Sequence, residues 1–253
     1  TGYKKRDYID LDKREKKNSI IKTICLSTLA TSSLISTSAL SNTQVIHAGS
    51  LLSIPGKAPV KNQTLVITDG IITAVKKGFV KPKEISKNAT LIDLSSSFVL
   101  PGLMDMHVHL QGEFSPKNDS EKLRMSDADK LVKSAYFAKK TLMAGFTTVR
   151  DLGGSPEQSF ALRDGIKKGY LDGPRIIAAG SNVAVTGGHG DVDGMSPDLL
   201  DMHTAQTICD GPYDCRRATR RAIKYGADVI KITSTGGVLS DTNTGTGQQM
   251  ADD

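Results

Sequence analysis

Two histidines one residue apart close the run Pro101-Gly102-Leu103-Met104-Asp105-Met106-His107-Val108-His109. The apolar, β-prone Phe98-Val99-Leu100 precedes it, Pro101-Gly102 punctuates it, and the segment from Leu103 reads as a short buried strand ending in His-Val-His. Alternate side chains of a strand share one face, so His107 and His109 project together and Val108 projects the other way. Two imidazoles side by side at a strand end make half of a divalent metal site. The plainer alternative is a pair of histidines that flank a core valine.

A third residue invites the same question. Lys231 interrupts the apolar run Val229-Ile230-Lys231-Ile232, where a bare ammonium would meet a heavy desolvation cost. A lysine so placed is paired, neutral or modified. Reaction of its neutral amine with carbon dioxide would give a carbamate, an anionic oxygen ligand able to bridge two metals. A strand-end lysine snorkelling to solvent explains the position equally well.

These residues need elements to hold them. Before the histidine pair the chain offers strands at Gln44 to Leu52, at Gln63 to Val75 with Asp69-Gly70 as a hairpin turn, and at Thr90 to Leu94 and Ser97 to Leu100. Four or five short strands suggest part of a small, composite β-sandwich over residues 42–100. His47 within it reads as a surface or satisfied strand histidine. From Leu100 the pattern changes to strands alternating with helices. Ser126 to Ala144 predicts an amphipathic helix with Ser126 or Asp127 as N-cap and Leu131, Ala135, Ala138 and Leu142 on its inner face. Ser155 to Lys168 predicts a second, with Phe160, Leu162 and Ile166 inward, and Cys215 to Tyr225 a third. Arg216, Arg217, Arg220, Arg221 and Lys224 of the third resemble a nucleic-acid patch in isolation and fit better as the outer face of a packed helix. The alternation argues an α/β fold with a parallel sheet closed as a (β/α) barrel. A full (β/α)8 barrel takes about 250 residues, so residues 101–253 are expected to supply its N-terminal half. Four strands are expected, the fourth at Gly226 to Ile232, and Gln248 to Asp253 reads as the beginning of a fourth helix.

The 253 residues are 38% hydrophobic and 24% charged, ordinary values for a globular protein. Residues 1–24 carry eight Lys/Arg and four Asp/Glu, which leaves only +2 of the net +6 for the rest. With 5% aromatic residues and no Trp, neither a basic footprint nor base-stacking platforms are present, and a nucleic-acid partner is excluded. Basic Lys13-Arg14-Glu15-Lys16-Lys17 and Lys22, then uncharged Thr23 to Ser41, match a secretory signal peptide at about 18–41, with Ala39 and Ser41 as the small residues before cleavage. This leader implies a periplasmic or secreted location and no stable membrane anchor: the stretch is too rich in Ser and Thr to span, and Cys25 lacks the small residue usual before a lipoprotein cysteine. Three cysteines are too few for a disulfide scaffold. Cys209 and Cys215 either close a small loop in an oxidising compartment or stay as two thiols.

Four ordered segments carry a family likeness. Pro101 to His109 resembles the first metal-binding strand of the amidohydrolase superfamily, Ala144-Gly145-Phe146-Thr147-Thr148-Val149-Arg150-Asp151 its second barrel strand, Gly173 to Gly180 its third, and Gly226 to Ile232 its fourth. Thr186-Gly187-Gly188-His189-Gly190-Asp191 is similar to the branch of imidazolonepropionase-like enzymes and metal-dependent Xaa-Pro dipeptidases. The resemblance implies a hydrolase acting on a C–N bond of a small molecule or dipeptide, such as an Xaa-Pro dipeptide or an N-acyl amino acid. It implies two zinc ions, held in part by His107, His109 and a carboxylated Lys231. His189, in the Gly-rich loop, is implied on the substrate, against a plain loop-structure role. Asp151 ends the second strand and reads equally as a site neighbour or as a helix cap before Gly153-Gly154. His203 reads as a lid or surface residue, and Gly236 and Gly237 would let the backbone approach the metal pocket. The two further histidines and the catalytic aspartate that the resemblance implies belong to the fifth, sixth and eighth strands, expected beyond Asp253. Imidazolone ring opening and an inactive C-terminally truncated fragment remain the alternatives, and a homo-oligomer of the full-length protein stays open.

Overall fold

The computed structural model describes residues 42–113, 115–116, 118–238 and 245–251. The basic leader and Cys25 lie outside the described residues, as do 252 and 253. The chain divides into two compact units, one of residues 42–51 and 58–99, the other of 52–57 and 100–253.

The first unit is one four-stranded sheet. Strands β1 (Thr43–Leu51), β2 (Val60–Thr68), β3 (Ile71–Lys77) and β4 (Thr90–Val99) lie in the order β3-β2-β1-β4. The β2–β3 turn has positive φ at both central residues, 51° at Asp69 and 80° at Gly70, the backbone that a two-residue hairpin with the twist of its flanking strands requires. β1 pairs antiparallel with β2 and parallel with β4. The two runs expected at 90–94 and 97–100 form a single strand, because a register shift between Ala48 and Ser50 absorbs the mismatch and keeps pairing continuous. At that shift any side chain on Gly49 would run into the Ser95 carbonyl. Ala48, Leu51 and Leu65 form the buried core, with Ile46 and Val99 against it. His47 Nε2 donates to the Val80 carbonyl, 2.9 Å away, and the ring stacks on Phe79. The short helix α1 (Pro82–Ile85) has no counterpart in the sequence expectations.

The second unit alternates strand and helix. Parallel strands β5 (Leu103–Val108), β6 (Phe146–Asp151) and β7 (Arg175–Ala178) lie in the order β5-β6-β7. Helix α2 (Asn118–Arg124) and helix α3 (Asp127–Met143) follow β5, and α4 (Pro156–Lys167) follows β6. α5 (Pro197–His203) and α6 (Gly211–Tyr225) follow β7. Ser126 caps α3 in a reciprocal capping box with Asp129, and Ser155 caps α4 through the Gln158 amide. Ala138, Val149, Phe160, Leu162, Ile176 and Ala178 form one core between these helices and the sheet. On α6, Ala218 and Ala222 are buried while Arg217, Arg220 and Lys224 lie on its outer side. Cys209 and Cys215 are joined by a disulfide. No helix among the described residues is long and apolar enough to cross a membrane.

Three expectations need correcting. β5 is not buried: Leu103, Met104 and Met106 are exposed on its faces, and β6 is its one paired neighbour among the described residues. Gly226 to Ile232 forms no ladder. Its backbone bonds to β7 only through Asp228 N–H and the Ala178 carbonyl (2.8 Å), then touches the loop beyond at a single Val183–Ile232 bridge. At that point the Asp228 carboxylate, in place of a backbone carbonyl, accepts from the Ala178 amide and also from Arg163, and no further backbone pairing with β7 follows among the described residues. Residues 248–251 are not helical either; Gln248 bridges Thr235 in antiparallel fashion.

Candidate metal centre

His107 is the last but one residue of β5, and His109 follows the strand directly. Strand alternation puts both rings on the same side, with centroids 5.4 Å apart and planes tilted by 55°. The His107 imidazole is held below its ordinary pKa, first by loss of surrounding water, then by the positive charges of Lys231, His109 and Arg150, against an opposing pull from Asp105. A ring so biased keeps its lone pairs at neutral pH, the state in which imidazole binds metal. Lys231 is therefore close enough for its charge to be felt at the histidine pair, although no strand ladder delivers it there. What delivers it is the loop after β7: Val183 N–H donates to the Lys231 carbonyl at 2.8 Å, and Thr233 N–H donates to the Val183 carbonyl at 2.9 Å.

His109 leans on the turn that follows β6. Its Nδ1 lies 3.3 Å from the Gly153 carbonyl oxygen, and its Cε1 would be 2.8 Å from a Cβ on Gly153. A carbonyl only accepts, so Nδ1 carries the proton and Nε2 keeps its lone pair. Beneath this turn Asp151 is fully buried. Gln111 Nε2 donates to its Oδ2 at 2.9 Å and Ser159 Oγ lies 3.4 Å from the same oxygen, while Oδ1 has no hydrogen-bond partner. Asp151 does not cap the helix after Gly153-Gly154; Ser155 does.

His189 sits in the loop between β7 and α5, its backbone N–H bonded to Gln249 Oε1 at 2.9 Å. Its ring lies over Gly237. Gly237 thus makes room for His189, whereas the sequence alone suggests a backbone approach to metal. His203 ends α5, exposed. Gln111 and Ser159 escape sequence reasoning, and no local signal marks them: they reach Asp151 across 40 and 8 residues.

Two imidazole nitrogens with free lone pairs suit a divalent cation. Among the described residues no group of three or more His, Cys, Asp and Glu converges on one point, so further donors must come from Lys231 or from residues elsewhere. An ammonium has no lone pair to offer. The donor set fits a metal if Lys231 is converted to an anion.

Comparison with known proteins supports the family likeness. The model of the amidohydrolase family matches residues 98–253. The ochratoxinase of Aspergillus niger is 32% identical over 212 residues, 78% of this chain and 43% of that protein. The crystal structure of a Xaa-Pro dipeptidase with bound methionine in the active site superposes with a TM-score of 0.75 at 38% identity, covering 83% of this chain and 51% of that one. The crystal structure of A. niger ochratoxinase gives a TM-score of 0.69 at 28% identity, over 83% and 51%. The chain thus spans about half the length of the relatives it matches.

Proposed function

This chain belongs to the amidohydrolase family, and from that premise we propose that the protein it represents is an exported metal-dependent hydrolase of a C–N bond in a small substrate, an Xaa-Pro dipeptide or an N-acyl amino acid. The observation that carries the proposal is the His107–His109 pair, its rings 5.4 Å apart beside Lys231 at the end of a parallel strand. In parallel α/β folds, active groups gather at that end of the strands. The likeness to a Xaa-Pro dipeptidase and to ochratoxinase supports an amide-like substrate.

Two zinc ions are the proposed cofactor, with His107 and His109 as nitrogen donors. Lys231 completes this half of the site as a carbamate: its neutral amine adds to carbon dioxide, a C–N bond forms, and one proton is released. The product carries an anionic oxygen where an ammonium would repel the metal. A divalent metal held there supplies a water of lowered pKa and polarises the scissile carbonyl. The chain's own residues then keep the His107 imidazole neutral, fix the His109 ring against Gly153, and offer His189 to the substrate. Export rests on the basic-then-apolar leader over residues 18–41.

A second reading is favoured by one specific observation: the sheet of the second unit has three paired strands, and the chain covers about half of each relative. Taken alone, these 253 residues are then a metal-binding half-site without turnover. One experiment addresses both. Zinc is titrated by calorimetry into wild type and Lys231→Ala, and Xaa-Pro hydrolysis is assayed alongside. Zinc binding lost in Lys231→Ala supports the site; equal zinc content in both proteins overturns it. Turnover by the 253 residues overturns the half-site reading.

A further inference from the structure

The ladder between β5 and β6 loses its register beside the histidine pair. Asp105 lies opposite Val149 and Val108 opposite Asp151, so Met106 and His107 together face the single residue Arg150. Two residues against one make a β-bulge. An earlier shift, between Leu103 and Met104, places the extra residue on β6 instead. Residues opposite one another in a sheet share a face, and on β6 Val149 and Asp151 are both buried. From the Asp105–Val149 pair, a regular ladder would set His107 opposite Asp151 and turn it into that buried face. The extra residue sets Val108 there instead, packed with Leu110 into the core that holds Val149. His107 and His109 are thereby left exposed on the other face.

A bulge takes backbone groups out of the ladder, and here two charged side chains receive them. Arg150 Nε donates to the Met106 carbonyl at 2.7 Å, and the His107 N–H donates to Asp105 Oδ1 at 3.0 Å. Hydrogen bonds with one charged partner are the stronger class. Among the described residues the Arg150 guanidinium makes no ion pair, so the bulge is where it is engaged. We propose that Arg150 and Asp105 are positioning residues for the metal pair: they pin the Met106–His107 bulge, and the bulge turns His107 and His109 to the open face of the sheet. The proposal rests on the reading of the two histidines as metal donors. Neither pin touches an imidazole nitrogen; both act through the backbone that carries His107. Bulges recur beside active sites because one extra residue re-aims a side chain.

The test uses the 253-residue chain, with hydrogen exchange at the His107 amide read without metal and zinc affinity read by calorimetry. In wild type that amide is expected to exchange slowly. Asp105→Ala should speed its exchange and lower zinc affinity by about tenfold. Asp105→Asn keeps the acceptor oxygen and should restore both. Arg150→Leu removes a positive charge near the histidines, which by itself would favour zinc. Loss of the bulge predicts the opposite, a fall in zinc affinity of about tenfold. The Ala and Leu variants break separate bonds, so misfolding of one leaves the other to decide. Fast exchange at His107 in wild type overturns the proposal, as does zinc affinity that is unchanged in Asp105→Ala or that holds or rises in Arg150→Leu. If wild type binds no zinc, the metal reading fails and exchange alone decides the bulge: slower in wild type than in Asp105→Ala supports the pins, and equal rates overturn them.

Discussion

The imidazole of His189 occupies the space that a side chain at position 237 would need, its Nε2 and Cε1 each 2.5 Å from an ideal Cβ on Gly237. Even a methyl group there must push the ring aside. If the proposed hydrolysis of an Xaa-Pro dipeptide holds, Gly237→Ala is therefore expected to copy His189→Ala: KM for the dipeptide rises several-fold while zinc content is unchanged. Zinc loss in either variant would move His189 from substrate to metal. Steady-state kinetics with metal analysis on the same samples separates the two.

The histidine pair should be unequal to the other histidines. His107→Ala and His109→Ala are each expected to lower zinc affinity by about tenfold or more, since each removes one of two nitrogen donors. His47 bonds to the Val80 carbonyl and stacks on Phe79, so His47→Ala should leave zinc binding unchanged. Calorimetric titration of the three variants checks this.

If Lys231 bridges two zinc ions as proposed, Lys231→Ala should abolish the two-zinc state, and a short carboxylic acid in solution should restore part of it by replacing the carbamate oxygens. Two zinc ions per chain in both wild type and Lys231→Ala would remove Lys231 from the site. Elemental analysis after dialysis gives the count.

Asp151 gives the chain a pH signature. Burial raises its carboxyl pKa, against the pull of the Gln111 hydrogen bond, the His109 charge, the Gly153 amide and Ser159. An unfolded aspartate titrates near 3.8, so over the interval above that value the folded state holds the proton more firmly. This contribution favours folding at low pH and is lost as pH rises through the folded pKa, above which a buried charge must be carried. Asp151→Asn should melt at higher temperature than wild type at neutral pH and show no advantage in acid below the unfolded pKa. Thermal melts in the two regimes decide it.

Reduction should also be visible. The Cys209–Cys215 disulfide closes a loop of sequence separation 6, for which chain entropy gives roughly 2 kcal/mol. Dithiothreitol, or Cys215→Ser, is expected to lower the melting temperature. Equal melting with and without reductant would show that the two thiols are not joined in solution.

Much of this is legible in local sequence, and the reason is physical. A hairpin is set by the φ preferences of Asp69-Gly70, a helix start by one hydroxyl at Ser126 or Ser155, and a shared face by the one-residue gap between His107 and His109. The failures depend on partners. β5 carries a buried strand's composition and lies exposed, because burial is set by what packs on a strand's faces, which its own sequence does not contain. Val229 to Ile232 has strand propensity, yet at its start the Asp228 side chain takes the Ala178 amide in place of a backbone carbonyl, and one backbone bond to β7 is all that forms among the described residues. Short helices such as Pro82–Ile85 and Pro197–His203 are too brief to show periodicity. The Asp151 cluster spans Gln111 to Ser159, and no window of local pattern contains it.

The parallel pairing of β1 with β4 sets an order of events on the ribosome. The β2–β3 hairpin is local, and β1 meets β2 across the short 52–59 connection, so these three strands have low contact order and little loop entropy to overcome. β4 is different: Gln44 must wait for Thr90 and Leu51 for Val99. At about 5–20 residues per second, elongation from Leu51 to Val99 takes roughly two to ten seconds. Throughout that interval the side of β1 that β4 later pairs with has no β4 to bond its N–H and C=O groups, the kind of open edge at which unfinished chains associate.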